Sequence, residues 1–93
     1  MTVGILRVDL FIHNSSSLKE KRMVLRSLKA RIRNSFNVGV TELDEENKWQ
    51  TSELAIIGAD RDKRNMNSIL SKALNFIESF GGVDIINHDI ELL

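Results

Sequence analysis

Five basic residues, Lys19, Arg22, Arg26, Lys29 and Arg33, follow one another at steps of three, four, three and four positions. At about 3.6 residues per turn, these steps keep the five side chains within roughly a quarter of a helix circumference. They form a line along a helix. Such a line can engage the phosphates of a nucleic-acid backbone, and arginine adds bidentate contacts with phosphate oxygens. It can equally be a solvated helix face, and the residue types alone leave both readings open. The segment 17–36 holds seven of the 13 Lys and Arg residues against one acid, Glu20, a local charge of +6. Over the whole chain 13 acids balance 13 bases, so the rest sums to −6, partly through Glu42, Asp44, Glu45 and Glu46. The chain is neutral and electrically polarised.

Lys21 breaks the pattern, because its position falls inside the apolar arc of the same helix. A lysine there either packs its stem on the core edge and sends the ammonium to water, or is held toward an anion or acidic partner at the sheet edge. The run His13-Asn14-Ser15-Ser16-Ser17 precedes the helix N-terminus, where backbone donors could meet an anion. It has neither Walker nor dinucleotide-binding spacing, and serine is an ordinary cap residue. His13 and His88 are the only histidines. They show no paired ligand spacing, so no metal site is expected. The hairpin carboxylates read as solvated turn residues rather than an acid–base pair.

The elements that position these residues follow from periodicity. Residues 3–12 alternate, with Leu6, Val8, Leu10 and Ile12 on one face and Val3, Ile5, Arg7, Asp9 and Phe11 on the other. Ser17 and Glu20 have capping-box spacing, and Leu18, Val24, Leu25, Leu28, Ile32 and Phe36 give an apolar stripe, so a helix is expected to end near Phe36. A second strand is expected over 37–43, a hairpin tip over 44–48 and a return strand over 49–59. Met66, Ile69, Leu70, Ala73, Phe76, Ile77 and Phe80 then mark a second helix, stopped by Gly81-Gly82 before a last strand over 83–93. The order β-α-β-β-α-β with two amphipathic helices predicts an α+β, ferredoxin-like fold. Its four-stranded antiparallel sheet has both helices on one face, and the first and third strands are central.

With 93 residues, 42% of them hydrophobic and 28% charged, the chain is expected to form a single domain spanning 1–93. It contains no cysteine, which removes disulfides, thiolate zinc sites and cysteine nucleophiles. The N-terminus enters a strand carrying Arg7 and Asp9, so neither a signal peptide nor a membrane span is expected, and the location is read as cytoplasmic. Aromatic stacking on the sheet, the usual mode of single-strand RNA readout in this architecture, has only Phe11 and Trp49 to draw on. If RNA is bound, the basic helix is the better surface. The open sheet face would leave Val3, Ile5 and Phe11 exposed, and a homodimer covering them is expected.

The chain resembles the YlxP-like family of small bacterial proteins, a family of unknown function. The resemblance rests on Val3-Gly4 and its strand, Ser17-Leu18-Lys19-Glu20-Lys21-Arg22, Leu28-Lys29 with Arg31, Phe36-Asn37-Val38, Trp49-Gln50 with Glu53-Leu54, and Glu91-Leu92-Leu93. It covers nearly the whole length. It implies a ferredoxin-like fold and a bacterial source. Family genes are often found between those of translation initiation factor two and ribosome-binding factor A, which implies a setting in translation or ribosome maturation. Lys19, Lys21 and Arg22 fall within the family's motif, whereas Arg26 and Arg33 come from helical geometry alone. The family supplies no catalytic residue.

The leading expectation is a non-enzymatic accessory protein without cofactor or metal. It would contact ribosomal RNA or a ribosomal assembly through Lys19, Lys21, Arg22, Arg26, Lys29 and Arg33. The alternative is a dimeric small-ligand or protein-interaction module built on the open sheet face. A phosphate-handling enzyme resembling acylphosphatases is a third, but their glycine-rich loop leading into an arginine is absent from the first turn.

Overall fold

The computed structural model describes residues 1–44 and 48–93. The chain runs β1 (Thr2–Ile12), α1 (Leu18–Ser35), β2 (Gly39–Glu42), β3 (Thr51–Asp60), α2 (Lys63–Ser79) and β4 (Val83–Leu92). The strands form one sheet in the order β2-β3-β1-β4, with every pairing antiparallel. This is the α+β, ferredoxin-like arrangement expected from the sequence, with the first and third strands central. The second strand is shorter than the alternating run suggested, and Glu45, Glu46 and Asn47 of the expected hairpin tip lie outside the described residues.

Period-two alternation sends Leu6, Val8, Leu10 and Ile12 of β1, with Leu54 and Ile56 of β3, into one core. Leu25, Leu28 and Ile32 of α1 and Met66, Leu70, Ala73 and Ile77 of α2 close it from the helix side. Gly4 and Gly58 face each other in the β1–β3 register. A Cβ at Gly4 would stand 2.7 Å from Met66 Cγ, and one at Gly58 2.8 Å from Met66 Cε. The paired glycines form the notch that seats Met66, so α2 approaches the sheet backbone closely there.

α1 begins as its spacing predicts, with one displacement. The backbone N–H of Glu20 donates to Ser17 Oγ at 3.1 Å. The Glu20 carboxylate, however, accepts from the hydroxyl and backbone N–H of Ser16 rather than from Ser17. At its far end, Phe36 meets Phe76 edge-on, and Arg31 lies over the Phe80 ring at 5.8 Å from the centroid. One α1 cation is thus used to join the two helices.

Candidate nucleic-acid interface

β2 is an edge strand, and α1 lies against it, which leaves a groove of about 290 Å³ between helix and edge. Arg22, Arg26, Lys29 and Arg33 line the groove together with Leu18, Lys21, Leu25 and Glu42. Four of the five cations in line therefore border one concave surface. Lys19 is exposed on the same helix and is not part of the groove lining.

Two cations do not behave as their residue type suggested. The Lys21 side chain is 5% exposed, and its ammonium donates to Asp44 Oδ2 at 3.0 Å and to the backbone carbonyl of Lys48. It neither reaches water nor stands ready for an external phosphate, so it leaves the set of candidate RNA contacts. The physical reason is its place in the apolar arc, which carries the stem inward and its ammonium to Asp44 and Lys48. Asp44 completes the knot, because its Oδ1 accepts from the Ser52 hydroxyl at 3.0 Å and from the Glu53 backbone N–H at 3.1 Å. Burial pushes the Asp44 carboxyl up, but the Glu53 N–H, the Lys21 ammonium and the Ser52 hydroxyl together hold it below the usual carboxylate range. Lys29 is also engaged, with its Nζ 2.8 Å from Glu42 Oε1. Arg26 and Arg33 form no ion pair among the described residues.

The opposite surface of the sheet has the reverse charge. Arg7 pairs with Glu53 at 2.8 Å, and Asp9 and Asp89 stand close enough to act on its guanidinium. Its hydrogen bond and attraction to Glu53 raise the Arg7 pKa, so it stays charged throughout the working range. Across the strands Phe11 stands opposite Asp84, and Ile5 opposite Glu91. The open face thus carries Asp9, Glu53, Asp84, Asp89 and Glu91 against Arg7. Ile57 and Leu93 extend the apolar end formed by Val3 and Ile5. Phe11 lies at the other end, edge-on to His13. The three residues assigned to a dimer are therefore not one patch, because Arg7 and Asp9 separate Phe11 from Ile5 by six residues of strand, about 20 Å.

The histidines remain apart. His13 Nε2 lies 2.6 Å from Asp84 Oδ2. His88 stands opposite Val8, five residues or about 16 Å of strand from His13. Among the described residues no group of three or more His, Asp and Glu side chains converges as a metal site would require. No described helix is long and apolar enough to cross a membrane.

Sequence reasoning missed Glu42 and Asp44 as partners of the helix cations. The signal was present in the alternation of β2, because Val38, Val40, Glu42 and Asp44 share one parity, and Val38 and Val40 pack against the core.

Residues 3–90 match the family described as Protein of unknown function (DUF503), and the chain belongs to that family. It is 30% identical over 82 residues to Uncharacterized protein YlxP of Bacillus subtilis (strain 168), an alignment covering 88% of this chain and 89% of the relative. Among solved structures it is similar to protein YJCS, with a TM-score of 0.60 at 10% identity and 96% of both chains covered. It is also similar to the structured domain of Drosophila melanogaster Boca, with a TM-score of 0.52 at 9% identity, covering 98% of this chain and 96% of the other. At these identities the structural likenesses concern the fold alone.

Proposed function

We propose that this protein is a non-enzymatic, cytoplasmic accessory factor of translation or ribosome maturation that contacts the phosphate backbone of RNA through the α1–β2 groove. One observation carries the reading. Four of the five cations in line border one concave surface, whereas the opposite sheet face is acidic. A polyanion is therefore attracted to one side of a neutral molecule and repelled from the other. The rise of a helix spaces Arg22, Arg26, Lys29 and Arg33 over about 16 Å, a length suited to successive phosphates of one strand. The family resemblance supplies the setting in translation.

The test is association of the purified protein with ribosomal subunits and with single-stranded RNA across a salt series. Three to four phosphate contacts on a single strand give a slope of log K against log salt of about −2 to −3. Charge reversal at Arg26 and Arg33 is expected to weaken the association by about tenfold or more at low salt. No binding even at low salt refutes the reading.

A second reading, a module that dimerises through the open sheet face, draws on Ile57 and Leu93, which are 42% and 68% exposed beside Val3 and Ile5. Sedimentation velocity separates the two, since a dimer without RNA affinity reverses their order.

A further inference from the structure

The groove already contains an anion of its own. Lys29 is one of the cations in line, yet its ammonium lies against the Glu42 carboxylate at 2.8 Å, with the two side chains 23% and 32% exposed. Glu42 is the last residue of β2 and lines the same groove as Arg26 and Arg33. Its oxygens meet an ammonium as phosphate oxygens would. We propose that Glu42 is a built-in competitor for the ligand of this groove, and that it selects a continuous phosphate strand over lone anions. The inference rests on the groove being a phosphate-backbone site.

The selection follows from how the two kinds of ligand arrive. A phosphate can meet Lys29 only if the ammonium leaves Glu42. A partly exposed pair of this kind holds its partners together by a factor of about two to five. Inorganic phosphate must overcome that factor with the affinity of one contact. A strand already held at Arg26 and Arg33 presents its next phosphate to Lys29 at a high effective concentration, so displacing Glu42 becomes an intramolecular step. The Lys21–Asp44 pair marks the contrast, because at 5% and 17% exposure it is closed to exchange.

A single-stranded oligouridylate and inorganic phosphate are the probes, titrated across a potassium chloride series against wild type, Glu42→Gln, Lys29→Gln and the double variant. Glu91→Gln, which removes the same charge from the acidic sheet face, controls for the general field. Glu42→Gln is expected to bind inorganic phosphate about two- to fivefold more tightly at low salt, and the oligonucleotide more tightly by a smaller factor. It should also steepen the salt slope by about 0.7. Both gains should vanish in the Lys29→Gln background, and Glu91→Gln should give a smaller gain that persists there. Phosphate should bind wild type more weakly, relative to Glu42→Gln, than the oligonucleotide does. Glu42→Thr, a residue suited to a strand, should reproduce the gain if the glutamine variant melts early. A gain that survives undiminished without Lys29, or no gain in either Glu42 variant, overturns the competitor while leaving the groove reading intact. If neither wild type nor the Glu42 variants bind oligouridylate at low salt, the groove reading itself fails.

Discussion

The two surfaces that this domain leaves open, the α1–β2 groove and the outer sheet face, differ in the charge that remains once internal pairs have formed. In the groove, Glu42 and Asp44 neutralise Lys29 and Lys21, and among the described residues Arg26 and Arg33 are left over. On the sheet, Arg7 engages Glu53, and carboxylates are left over. A formal net charge of zero therefore hides two fields of opposite sign on opposite sides of one sheet. Such a molecule orients a polyanion rather than merely attracting it. The aromatic-bearing sheet face, which related architectures use to stack bases, is the acidic side here.

That contrast can be attacked at either surface. The largest effect is expected from Lys21→Met, which leaves Asp44 partly buried without its cation. Stability in chemical denaturation should fall by about 2–3 kcal/mol, somewhat less than for a fully buried pair. Affinity for RNA should fall by about twofold at most, since only the field of a non-contacting charge is lost, which separates the structural cation from the line. Arg26→Glu combined with Arg33→Glu should weaken RNA binding by about tenfold or more at low salt, with little change in denaturation midpoint. A loss of similar size from either Lys21→Met or the reversed pair in both assays would erase the distinction.

Acid offers a third approach. The folded-state pKa of Asp44 is depressed below its ordinary value of 3.8. Its contribution to stability is therefore complete above that value and is lost as pH falls through the lower, folded pKa. Denaturation midpoints measured from neutral pH to about pH 3 should drop for the wild type and drop less for Asp44→Asn. The smallest effect is expected at the sheet face. Arg7→Gln makes that surface more acidic at a distance from the groove, and should change RNA affinity by less than about twofold, with the difference disappearing as salt screens it.

Much of this was legible in the sequence, because the signals were local. The period-two run of β1, the Ser17 cap and the α2 stripe each specify an element without reference to the rest of the chain. The residues on which the family resemblance rests include Gly4, Ser17, Lys21, Leu28 and Phe36, which serve packing, capping or the buried ion pair. The resemblance therefore follows the fold more closely than it follows the exposed line. What the sequence left undecided was pairing across the chain. Lys21 was visible as an oddity, but Asp44 lies 23 positions away, and only the packing of α1 on the sheet edge brings the two together. Alternation puts Phe11 on one face with Val3 and Ile5, which fixes a face but not the distance along it.

The most direct test of the central claim is to follow the backbone amide signals of the protein by NMR while single-stranded RNA is added at low salt. Shifts should concentrate in α1 from Lys19 to Arg33 and in β2, weaken together as salt is raised, and leave the open-face residues from Arg7 to Phe11 and from Asp84 to Glu91 nearly unmoved. Shifts centred instead on that open face, with α1 silent, would contradict the account.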